Sequence, residues 1–116
     1  MLTTTGYNFE GYKIIKYLGV ISEAVVMGTG FLSSLSASFA DFTGGRSGIY
    51  ADKLQKGKSE AMRKLERRAE QLGGNAIIGI DIDYTTFTSD IMGIIVNGTV
   101  VLCQDLVQNK MRGSAS

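Results

Sequence analysis

Two glycine clusters, Gly44-Gly45-Arg46-Ser47-Gly48 and Gly73-Gly74, bracket a long segment of helical spacing, and that bracket restricts the fold more than any other feature. Across about residues 49–72, Tyr50, Leu54, Ala61, Leu65, Ala69 and Leu72 recur on one face. Lys53, Lys56, Lys58, Arg63, Lys64, Arg67 and Arg68 share the remaining face with Glu60, Glu66 and Glu70. A helix with such a stripe must lay it against another apolar surface. The leading glycines permit a sharp turn with Ser47 as the cap, and Gly73-Gly74 supply the left-handed backbone that ends many helices.

The flanking segments read as strands. Residues 2–5 form a short one, followed by a turn around residues 6–11. Residues 12–27 form a long one, with Ile14, Leu18, Val20, Ala24 and Val26 on one face, Lys13, Tyr17 and Glu23 on the other, and a bend or bulge at Gly19. After Gly28-Thr29-Gly30 the period changes to three or four through Phe31, Leu35, Phe39 and Phe42, which predicts a second, shorter helix capped by Thr29. Strands over residues 75–87 and 91–103 follow the long helix, joined by a turn at Thr88-Ser89-Asp90. The order β-β-α-α-β-β predicts an α+β fold, an antiparallel sheet with the helices packed on one face. Residues 1–107 read as a single domain, and residues 108–116, without an apolar period, as a mobile tail.

The last two strands bear on assembly. Ala76, Ile78, Ile80 and Ile82, with Met92, Ile94, Val96, Val100 and Leu102, are expected to fill the core beneath the long helix. Ile77, Phe87, Ile91, Ile95 and Val101 then fall on the opposite face, where a one-sided sheet should be polar. A sheet apolar on both sides needs a second cover, and the expected cover is another copy of the chain.

Composition excludes several classes of function. A chain of 116 residues supports one domain, with roughly a third of its unfolded surface still exposed after folding, enough for an interface. Twelve Lys and Arg against eleven Asp and Glu leave a net charge of +1, so no global field attracts nucleic acid. The uncharged run over residues 24–40 falls short of the roughly 20 apolar residues a membrane span needs, and it carries Thr29, Ser33, Ser34, Ser36 and Ser38. The N-terminus lacks the cationic and apolar segments of a secretory signal, so the expected location is cytoplasmic. One cysteine and no histidine exclude the usual zinc and copper ligand sets within one subunit.

Few residues are placed to do chemistry. The loop around Arg46 has two readings, an anion site built from backbone N–H groups, a helix start and the guanidinium, or a turn whose arginine pairs with Asp41, Asp81 or Asp83. No phosphate-loop lysine or dinucleotide-binding spacing accompanies it. Asp81 and Asp83 alternate on one strand, placing their Cβ atoms on one face roughly 7 Å apart. Such a pair can bind a hard cation, act as acid and base, or receive arginine across a subunit contact. With no histidine or nucleophile motif beside it, the expectation is a protein that is not an enzyme. Cys103 is either a thiolate ligand assembled by symmetry or a small apolar filler. The mixed charges of the long helix, without interleaved aromatics, read as a solvated surface.

Taken together, Gly44-Gly45-Arg46-Ser47 followed by Tyr50, the charged helix ending in Leu72-Gly73-Gly74-Asn75-Ala76, and Gly79-Ile80-Asp81-Ile82-Asp83-Tyr84 resemble the YbjQ-like family of small proteins. The resemblance runs from Thr3-Thr4-Thr5 to the final strand. It implies a compact α+β subunit, dodecin-like in arrangement, that assembles into a ring, a homopentamer. It also brings the label of heavy-metal binding, for which this chain offers only Asp81, Asp83 and Cys103 as candidate ligands. The expected role is therefore a homo-oligomer holding a small ligand, a small anion or a metal ion at its subunit boundaries. Arg46, Ser47, Tyr50, Asp81, Asp83 and Tyr84 are the polar set, and no organic cofactor is implied. The alternatives are a purely structural ring and, in third place, an enzyme using Asp81 and Asp83.

Overall fold

The computed structural model describes residues 1–27, 46–88 and 91–107, with the side chains of residues 46–51 and 88 outside that description. The shorter helix expected after Gly30, the turn residues Ser89 and Asp90, and the tail over residues 108–116 also lie outside the described residues. The described elements are β1 (Leu2–Thr3), β2 (Tyr12–Met27), α1 (Arg46–Gln71), β3 (Ala76–Thr88) and β4 (Ile91–Asp105).

The strands form one sheet in the order β1-β3-β4-β2. Only residues 89 and 90 separate β3 from β4, a link too short for anything but an antiparallel pair. The Gly11 carbonyl accepts from the Leu106 N–H, and the Ser22 hydroxyl donates to Asn97 Oδ1, so partners descend along β4 as β2 ascends. β1 departs from the all-antiparallel expectation. It lies parallel to β3, with Leu2 opposite Ala76 and Thr3 opposite Ile77, which makes the sheet mixed. The cause is connectivity, because β1 reaches the far edge of the sheet and takes its direction from that edge rather than from its sequence neighbour.

The helix begins at Arg46, earlier than the glycines suggested, so Ser47 lies inside the first turn and not before it. Glycine costs little there, since the first four N–H groups of a helix have no partner within it. The C-terminus follows expectation. Gly73 takes φ 86°, its N–H bonds the Glu70 carbonyl at 2.9 Å, and the Gly74 N–H bonds the Ala69 carbonyl at 3.0 Å, a Schellman end. Ala61, Leu65 and Ala69 are fully buried, whereas Leu72, past the last turn, is largely exposed.

Contacts gather into two compact units, one from Met1–Ser22, Leu65–Asp81 and Asn97–Ser116, the other from Glu23–Lys64 and Ile82–Val96. In the first, the β3 and β4 part of the sheet is packed on both faces. On the helix side, Val100 Cγ1 and the Ala69 carbonyl fill the space a Cβ would need at Gly74. On the other side Ala76, Ile78, Val101 and Cys103 form a buried cluster with Leu2, Phe9, Tyr12 and Ile14 packed against it. Burial of the larger aliphatic side chains here, Ile78 and Val101, adds about 1.5–3 kcal/mol each.

This arrangement corrects the face assignment made from alternation. Ile77, expected on an uncovered outer face, lies on the helix side, whereas Val101 keeps the outer face and is covered there, and both are fully buried within the chain. Gly79 is the reason on β3. At φ 60° it stands in left-handed backbone, and the two residues whose methyl and methylene carbons fill the Cβ space of Gly98 are Ile77 and Ile80, at 2.5 and 3.4 Å. Residues three apart share a face only across a bulge. Ile77 therefore joins Ile80 on one side, and Ala76 with Ile78 occupies the other.

In the second unit α1 comes close to the sheet at Gly57, where Met27 and the Ile94 Cδ1 methyl fill the space of a side chain. Met92, Ile94 and Val96 are buried as expected. On β2 the burial runs through Ile21, Val25 and Met27, while Val20 and Val26, assigned to the inner face from the sequence, are 79% and 59% exposed. The buried phase changes around Gly19, whose φ is 138°. Lys64 Nζ donates to the Ala24 carbonyl at 2.9 Å, and in the first unit Arg68 Nη1 donates to the Ser22 carbonyl at 3.2 Å. Residues four apart on the helix thus meet alternate carbonyls of an edge strand.

Candidate functional site

The bulge at Gly79 decides where the acidic pair goes. By returning Ile80 to the side of Ile77, it leaves Asp81 on the opposite face of β3, and Asp81 is exposed. Asp83 follows two residues on and is also exposed, and Tyr84 next to it is 48% exposed. Arg46, Ser47 and Tyr50 stand in the first turns of α1, and their side chains lie outside the described residues. Of the expected polar set, β3 thus carries three members in sequence.

Cys103 lies elsewhere. It is buried on β4 in the apolar cluster with Ala76, Ile78 and Val101, and burial raises its thiol above the ordinary 9.0. Its backbone is held by Asn75, whose Oδ1 accepts from the Cys103 N–H at 2.8 Å and whose Nδ2 donates to the Cys103 carbonyl at 2.9 Å. Sequence reasoning passed over Asn75. Its signal was position, an amide residue between a helix-ending Gly-Gly and a strand, where a side chain can take over the hydrogen bonds of a strand not yet begun.

Soft metals select thiolate and imidazole. This chain has one cysteine and no histidine, and its cysteine is a neutral thiol among apolar side chains. Among the described residues no three His, Cys, Asp or Glu side chains form a group able to hold a metal ion. The described donors do not fit a soft heavy metal within one subunit. Nor is any described helix long and apolar enough to cross a membrane.

What the fold defines is a small α+β domain with a four-stranded mixed sheet and an exposed acidic stretch on β3. The chain belongs to the YbjQ family, whose model, described as "Putative heavy-metal-binding", matches residues 1–104. A "UPF0145 protein" of Carboxydothermus hydrogenoformans is 38% identical over 101 residues, covering 87% of this chain and 94% of the relative. Another, from Clostridium botulinum, is 39% identical over 106 residues, covering 90% of this chain and all of the relative. A crystal structure from Pediococcus pentosaceus, a protein of unknown function in the DUF74 family, shares the fold with a TM-score of 0.63. It is 19% identical and covers 90% of this chain and 98% of that one.

Proposed function

We propose that this protein is a non-catalytic, cytoplasmic homo-oligomer, a ring of five copies of one domain over residues 1–107, which holds a small ligand or ion at its subunit boundaries. The observation that carries the reading is uncovered apolar surface on a sheet that also displays carboxylates. Val20 is 79% and Val26 59% exposed on β2, and Phe87 is 57% exposed on β3, the strand that carries the exposed Asp81 and Asp83. Apolar surface of this kind gains by association. Asp81, Asp83 and Tyr84 supply the acidic part of the boundary site, with Arg46, Ser47 and Tyr50 as its basic and polar part. The carboxylates favour a hard cation or a basic group over a soft metal.

A native mass spectrum of untagged protein, purified without added metal or chelator, tests this. The expected result is an oligomer carrying a stoichiometric extra mass. An oligomer at bare polypeptide mass favours the ring without ligand, and a monomer overturns the reading.

A further inference from the structure

Among the described residues, part of β2 and part of β3 have no strand on their outer side, and the two stretches carry opposite charge. On β2 the C-terminal part of the edge is closed, because Arg68 and Lys64 occupy the outward carbonyls of Ser22 and Ala24. Among the described residues β4 is the only strand beside the stretch over residues 13–20 in the sheet order. That stretch exposes Lys13, Lys16, Ile15 at 52% and Tyr17 at 67%. At the other end β1 pairs only with Ala76 and Ile77. The chain after it then makes its last described backbone contacts with β3 at Gly79 and Ile80. Among the described residues no strand lies outside residues 81–88, which begin with exposed Asp81 and Asp83.

An uncapped strand edge presents rows of N–H and C=O groups that template another strand. Long apolar edges of this kind are normally blunted. Here the helix blunts the C-terminal part of β2.

We propose that the stretch of β2 over residues 13–20 docks on the outer edge of β3 in a second copy of this chain, extending the sheet from subunit to subunit. The proposal rests on the oligomer put forward above and names its contact. Charge complementarity identifies the occupant. The two lysines project to opposite faces of β2, being three residues apart, so one of them meets the Asp81 face whichever way the strands lie. A copy offering β2 to β2 would set lysine against lysine, and β3 against β3 would set aspartate against aspartate. Only the mixed pairing is attractive at both strands, and a contact between two different surfaces is heterologous, the kind that closes a ring. The same pairing gives the Gly79 bulge a purpose, since it turns Asp81 out of the helix-covered face.

The test is charge reversal in the full chain, read by native mass spectrometry and light scattering. K13E/K16E and D81K are each expected to shift the wild-type oligomer to monomer while keeping the wild-type circular dichroism, and the combined K13E/K16E/D81K chain to recover the oligomer. Hydrogen exchange of the wild type gives a second readout, with residues 13–20 and 81–88 protected at high protein concentration and released on dilution. If the reversed variants assemble like the wild type, or protection lies elsewhere, the edge contact is wrong while the oligomer stands. A monomeric wild type overturns both.

Discussion

Cys103 and Asn75 show how one residue's role follows from its neighbours. The thiol could have been a ligand by composition alone, yet Ala76, Ile78 and Val101 enclose it and Asn75 fastens its backbone on both sides. Burial raises the folded thiol above 9.0, the value of the unfolded chain. The sign of the pH dependence follows, because the unfolded state releases its proton first as pH rises. This contribution to stability is therefore intact below about pH 9 and is lost as pH climbs through the folded value. Urea denaturation from pH 7 to 10 is expected to show a steeper decline for the wild type than for Cys103→Ala, and equal slopes would mean that the thiol is solvated.

At the scale of elements, α1 and the sheet are joined through a glycine in the middle of the helix. Gly57 lowers helix propensity by about 1 kcal/mol relative to alanine. Its lack of a side chain lets Met27 and Ile94 come in against the backbone. In Gly57→Ala the flexible Met27 end can swing aside, but Ile94 is fully buried and has little room. Overpacking costs typically about 1–3 kcal/mol, which exceeds the propensity gain, so a net loss of about 1 kcal/mol is expected in the urea midpoint. A stabilised variant would show that the contact yields. The bulge at Gly79 is the counterpart in β3, a local backbone choice that redirects every side chain beyond it.

For the whole molecule, the apolar residues that suggested association were partly the wrong ones. Ile77 and Val101 are satisfied within the chain, whereas Val20, Val26 and Phe87 carry the exposed surface. Assembly through exposed lysines and aspartates predicts two linked behaviours. The thermal midpoint should rise with protein concentration, because association stabilises the folded state by mass action. The rise should weaken between 0.1 and 1 M salt, as the screening length falls from about 10 to about 3 Å. A concentration-independent midpoint in differential scanning calorimetry would remove the assembly.

The sequence by itself determined the long helix, its Schellman end, β2 and the β3-β4 pair, because periodicity and glycine punctuation are local signals. It also placed Met92, Ile94 and Val96 in the core, and its motifs placed the chain in the YbjQ family. The parallel placement of β1, the faces of Ala76, Ile77 and Ile78, the cover over Val101 and the burial of Cys103 were decided only by the tertiary structure. The physical reason is one of range. A positive-φ glycine such as Gly79 reads from sequence as an ordinary strand residue, and whether it bulges depends on what packs across it. The role of Asp81 shares that dependence, since alternation puts it on one side or the other only once the bulge is known.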